Sequence, residues 1–204
     1  AELDKLFKGD FARQALKEMS DTGVYSIVTE GLEHRCMEEM AAESARGFVF
    51  YASVLFYQMD KNAQDRLAAK LNFPNSMKKR AARTAELAYK LADVIKNGDD
   101  KEIKKIIYSY PEETDDGLHL FKISMLCEGV DEFSLDECTD RVMWLIPQVD
   151  FELPERLNGT IMKEIGVAPG PDMGRIIKAV RPLMASGEIE SIEAAEIYIK
   201  DNFL

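Results

Sequence analysis

Four cations crowd one short stretch of the chain: Lys78, Lys79, Arg80 and Arg83. Arg80 and Arg83 are spaced i, i+3, and Lys79 and Arg83 i, i+4, so on a helix they share a face. Clustered Lys and Arg on one side of a rigid element is what contact with a phosphate backbone requires. After them no acidic residue follows until Glu86. The plainer reading is a solvated helix face that pairs with acidic helices elsewhere. A second candidate surrounds Pro169-Gly170-Pro171. Pro169 biases Ala168 out of the α region. Gly166 suits a left-handed C-cap, and Pro171 suits the first turn of a new helix. Unbonded N–H groups and the positive end of the helix dipole can hold an anion there, and Gly170 lets it approach. Asp172 partly opposes this. Arg175, Lys178 and Arg181 then follow at i, i+3 steps along one stripe. Gly174 leaves room for a close backbone neighbour. Here the plainer reading is a turn that only redirects the chain.

Other chemistry is thinly represented. Asp115-Asp116 begins like the aspartate-rich metal motif of all-helical prenyl-transferring enzymes, but Gly117-Leu118-His119 follows instead of a third aspartate. Aspartates at a helix N-terminus explain the pair through the dipole, and the acidic run 112–116 reads as a solvated loop. No nucleophile elbow, phosphate loop with its lysine, or zinc-protease motif occurs. His34 and His119 belong to no HxxxH pair, so no metal site is expected. Cys36, Cys127 and Cys138 lack CxxC spacing and read as buried thiols of a reducing compartment, with a disulfide or zinc site as the minority reading.

The elements that must carry these residues read as helices almost throughout, because no run alternates apolar and polar over strand length. Asp10 caps a helix with Phe11, Leu16 and Met19 that ends near Gly23. Residues 32–45 are polar with methionines at helical spacing. Residues 48–57 are apolar all round and predict a central core helix. Residues 62–71 are amphipathic, and Asn72-Phe73-Pro74 breaks the pattern. Asn75 caps a long helix to about Lys96, ended by Gly98. Asp99 or Asp100 restarts a helix that Pro111 stops. Thr114 caps the next, which ends near Gly129. Ser134 and Glu137 suggest a capping box. Residues 147–154 read as a short linker before three helices at 159–165, 171–185 and 191–202. The prediction is an all-α chain, with a body of stacked antiparallel helices over 1–147 and a three-helix tail over 148–204.

With 204 residues and a net charge of −11, the chain can bury a real core and is unsuited to indiscriminate nucleic-acid binding. The charge is uneven. Residues 61–83 hold seven basic residues against one acid, and 155–187 hold five against three, whereas 84–154 hold seventeen acids against seven bases. Both basic islands coincide with the candidate sites. The longest apolar run, 47–57, is too short to span a bilayer, and the first residues do not form a signal peptide. A cytoplasmic protein without membrane contact is expected. Ala1 is not a start methionine, which suits a processed chain or a piece of a longer one.

Several of these residues carry a resemblance. Leu157-x-Gly159, Ile161-Met162, Ile165-Gly166, Pro169-Gly170-Pro171-x-x-Gly174 and Gly187-Glu188-Ile189 resemble the tail of bacterial-type (class II) tRNA nucleotidyltransferases, the CCA-adding enzymes and related poly(A) polymerases. Thr160 stands where that family usually has Asp. Ala15-Leu16-x-x-Met19 with Thr22-Gly23-Val24 is similar to the family's body helix, and 71–75 to the residues before its arginine-rich helix. The resemblance implies a helical body and tail that hold tRNA by shape and phosphate contacts. It further implies a head domain, in cis or in trans, that binds magnesium and ATP or CTP. The head's Gly-Gly-x-x-x-Arg and Asp-x-Asp and the neck's Glu-Asp-x-x-Arg are absent from this chain. The expected RNA contacts are therefore Lys78, Lys79, Arg80, Arg83, Gly170, Arg175 and Lys178, with no catalytic residue and no cofactor in this chain. A homodimer is compatible with the sequence, and so is an acidic helical scaffold that binds protein.

Overall fold

The computed structural model describes residues 12–28, 46–57, 59–97 and 99–204. Among the described residues the fold is all-α, with no strand. The expectations at Asp10, 32–45, Cys36, His34 and Gly98 lie outside the described residues. The chain divides into two compact units, Ala1–Ala92 with Glu112–Glu137, and Asp93–Pro111 with Cys138–Leu204.

In the first unit, α1 (Ala12–Asp21) and α2 (Val24–Val28) flank Gly23, whose φ of 73° is left-handed. The Thr22 hydroxyl donates back to the Glu18 carbonyl at 2.6 Å. Helix α3 (Gly47–Tyr57) is apolar on every side and forms the core, with Phe50, Tyr51 and Phe56 fully buried. Burying each such side chain stabilises by about 1.5–3 kcal/mol. Asp60 caps α4 (Lys61–Lys70) by accepting from Ala63 N. The break at 72–74 is a turn with Asn72 at φ 51°, and it seats the Phe73 ring edge-on to Phe48 at 5.4 Å. Helix α5 (Asn75–Asn97) buries Ala81, Ala85, Leu87, Ala88 and Leu91 along one side. Across from Leu87 lies Gly117 of α7 (Thr114–Cys127), and a Cβ there would come within 2.4 Å of Leu87 Cδ2.

Three local expectations need correcting here. Thr114 is the first residue of α7 rather than its cap; Glu113 holds the cap position without a side-chain cap bond, because its carboxylate is engaged by Arg83. Helix α8 (Glu132–Leu145) starts earlier than the Ser134 box implies. Asp131 supplies the cap, accepting from the Ser134 backbone N–H at 2.9 Å and its hydroxyl at 2.8 Å. Those bonds hold the Asp131 carboxyl below the usual range. Finally, Cys127 is disulfide-bonded, so the chain is not three thiols. Spacing along the chain does not report which sulfurs meet in space.

The second unit contains α6 (Asp100–Ser109), capped by Asp99, and buries Ile103 and Ile107 from it. A short 3-10 turn (Ile146–Gln148) leads to α9 (Glu152–Arg156). The 147–154 stretch is therefore not a plain linker. Val149 is buried, Asp150 N donates to the Ala185 carbonyl, and the Asp150 side chain accepts from Glu152 N and Leu153 N. Helices α10 (Gly159–Ile165), α11 (Pro171–Ala185) and α12 (Ile192–Phe203) fall within a residue or two of expectation. Asn158 caps α10 and Ser191 caps α12. Leu157, Met162, Ile176, Val180, Met184 and Ile199 form the core of this unit, and α6 packs on α11 beside them. All of 148–204 belongs to this unit, where α6 and the end of α8 join it.

Candidate nucleic-acid interface

The first basic island lies on the opening turns of α5 as the periodicity requires. The fold supplies the acids that local sequence lacks. Lys78 Nζ stands 2.8 Å from Asp65 of α4, and that hydrogen bond holds the Asp65 carboxyl below its usual range. Arg80 Nη2 lies 3.3 Å from Asp116. Arg83 grips Glu113 with two bonds, Nε at 2.9 Å and Nη2 at 3.1 Å. Glu113 is only 4% exposed, so this part of the acidic run is no solvated loop. It is buried because a guanidinium offers its carboxylate two parallel donors. Lys79 is exposed and has no partner among the described residues.

The Asp115-Asp116 pair meets cations too. Arg46 Nη1 is 2.6 Å from Asp115 and 3.1 Å from Asp116, and the first of these bonds lowers the Asp115 pKa. The Arg46 guanidinium also touches the His119 ring and sits 5.7 Å from the Phe50 ring centroid. Gly117 follows the two aspartates because α5 leaves no space for a side chain there.

The second candidate is built by the turn between α10 and α11. Gly166 ends α10 at φ 103°, the left-handed cap expected of it. Pro171 opens α11, and Gly170 precedes it as an N-cap with no side-chain cap bond. The backbone at Gly170 is extended, and a Cβ there would meet nothing within 4 Å. Gly174 likewise has the room expected of it, but no neighbour fills that room among the described residues.

The stripe below the turn is unequal. Arg175 pairs with Asp172, and both side chains are largely exposed. Arg181 is held on two sides, by Glu155 at 3.0 Å and by the Leu157 carbonyl at 3.2 and 3.3 Å. Lys178 has no partner among the described residues. It lines a cleft of about 460 Å³ together with Tyr108, Phe151, Glu155, Arg181 and Pro182. Tyr108 and Phe151 pack as a tilted ring pair with centroids 5.7 Å apart. Sequence reading missed both rings, since Tyr108 lies on α6 and Phe151 just before α9, and they carry no local motif.

The sequence-predicted residues thus gather at two places, Lys78, Lys79, Arg80 and Arg83 in the first unit and Gly170, Arg175 and Lys178 in the second. Among the described residues no group of three His, Cys, Asp or Glu side chains could hold a metal ion. None of their helices is long and apolar enough to cross a membrane. No protein-family model matches the chain, and no curated protein or solved structure does.

Proposed function

We propose that the chain is the tRNA-binding body and tail region of a tRNA nucleotidyltransferase of the CCA-adding type. It holds tRNA while a head domain, in cis or in trans, matures or maintains the 3′ end with magnesium and ATP or CTP. The observation that carries this reading is the α10–α11 turn, where the left-handed Gly166 cap and the Pro171 start fall on the residues of the family resemblance. Lys178 on α11 and Lys79 on α5, neither with a partner among the described residues, add cations that can meet phosphates. The reading places the chain in the cytoplasm with the tRNA pool; a bonded Cys127 is unusual there.

A gel shift with an unmodified tRNA transcript at low and moderate salt tests the proposal. Lys79→Glu and Lys178→Glu should each weaken binding and reduce the salt slope by about one, as loss of a phosphate contact does. Unchanged affinity and slope in both variants would refute the assignment of these residues. A second reading, an acidic scaffold that binds protein, is favoured by the ion pairs of Lys78, Arg80 and Arg83, which neutralise much of the first island. Absence of any shift with the wild-type chain decides for the scaffold.

A further inference from the structure

The cleft beside Lys178 combines two features that the basic stripe alone does not have. One is aromatic surface: Phe151 is 41% exposed, and its ring is propped by Tyr108. The other is an uncommitted cation. Arg181 is largely committed, because Glu155 balances its charge and Glu155 and the Leu157 carbonyl take three of its five N–H groups. Lys178 is not, since its ammonium has no partner among the described residues, and the residue lines the cleft.

The rest of the lining suits a flat ligand that carries an anion. Glu155 would repel one, but Arg181 neutralises it, and the Tyr108 hydroxyl stands 3.5 Å away. Burial raises the Tyr108 pKa, so the hydroxyl stays a neutral donor in physiological conditions. Pro111 and Pro182 give apolar wall without N–H groups. Pro182 sits inside α11, so the Lys178 carbonyl also loses its i+4 donor and becomes an acceptor in the same turn. A volume near 460 Å³ lies within the ordinary range for small-molecule sites, about 300–1,000 Å³.

A ring surface beside a lone cation, with a donor and an acceptor near by, is the chemistry that recognises a nucleotide: base on the aromatic, phosphate on the lysine. We propose that this cleft receives one unpaired nucleotide of the bound RNA, its base against Phe151 and its phosphate at Lys178. The inference rests on the RNA-binding reading and deepens it, because it assigns an extruded base to the tail and not only backbone contact.

The test uses the full chain and an unmodified tRNA transcript. Ultraviolet crosslinking followed by mass spectrometry should place nucleotide adducts on the peptides that contain Tyr108 or Phe151. Phe151→Leu keeps apolar volume but removes the ring, and it should weaken tRNA binding about tenfold with an unchanged salt slope, since stacking releases no counterions. Lys178→Gln should instead lower the slope by about one. If Phe151→Leu binds as the wild type does and no adduct maps to either ring while the wild-type chain still binds tRNA, the cleft assignment falls and the RNA-binding reading stands. If the wild-type chain binds no tRNA at any salt, both fall.

Discussion

Arg83 shows how one side chain can be read two ways. By spacing it completes a basic face on α5; in the fold its guanidinium closes over a nearly buried Glu113. Removing one partner of such a pair strands the other charge away from water, which costs far more than the pair itself contributes. Arg83→Met should therefore destabilise the chain by about 3 kcal/mol in chemical denaturation. The double variant with Glu113→Met should recover most of that loss. A single variant within about 0.5 kcal/mol of wild type would mean Glu113 finds water or another donor. Lys79 and Lys178 contrast with it. Neither has an ion pair among the described residues, so each can be altered to probe binding with small effect on stability. At this scale the sequence showed which residues are cations and where they repeat. It could not show which were already committed, because their acids lie on other helices.

Elements were far more legible. The core helix α3, the break at Asn72-Phe73-Pro74 and the three C-terminal helices all follow from apolar periodicity and from Pro and Gly placed at helix ends. Two misses are at caps, and a third is the 147–154 stretch, which carries a 3-10 turn and α9. Ser134 looked like a cap because a glutamate follows three residues later, yet Asp131 wins by bonding both the Ser134 N–H and its hydroxyl. Gly117 was legible only as one of the residues that follow the aspartate pair. Its true reason is the crossing of α5 and α7, where Leu87 fills the space a methyl would need. Gly117→Ala should cost about 1–3 kcal/mol through overpacking, although alanine is the better helix former. A stabilised variant in thermal and denaturant unfolding would show that Leu87 can swing clear.

For the molecule as a whole, charge pairing sets the dependence on pH. Hydrogen bonds from Lys78 to Asp65 and from Arg46 to Asp115 hold both carboxyls below the ordinary aspartate value. A lowered folded-state pKa gives stability that is full above the unfolded value, about 3.9, and is lost as pH falls through the lowered one. Lys105 has the opposite sign. Burial disfavours its charge, but bonds to Glu102 at 2.6 Å and Glu188 at 2.5 Å outweigh it and raise the pKa. Its contribution is full below the ordinary lysine value of about 10.4 and fades above it. The thermal midpoint should be level across neutral pH and fall at both extremes. Arg46→Met should flatten the acid limb; an acid limb as steep as that of wild type would separate Asp115 from Arg46.

By itself the sequence determined the all-α class, the order and extent of most helices, the caps at Gly166 and Pro171, and the two basic islands in an acidic chain. These depend on interactions within a few residues, so they can be read along the chain. Only the tertiary structure decided which cations are spent in ion pairs, why Gly117 is glycine, that Cys127 is bonded, and that Tyr108 and Phe151 meet beside Lys178. Those facts depend on residues far apart in sequence that packing brings within a few ångströms, and no local pattern encodes such distances.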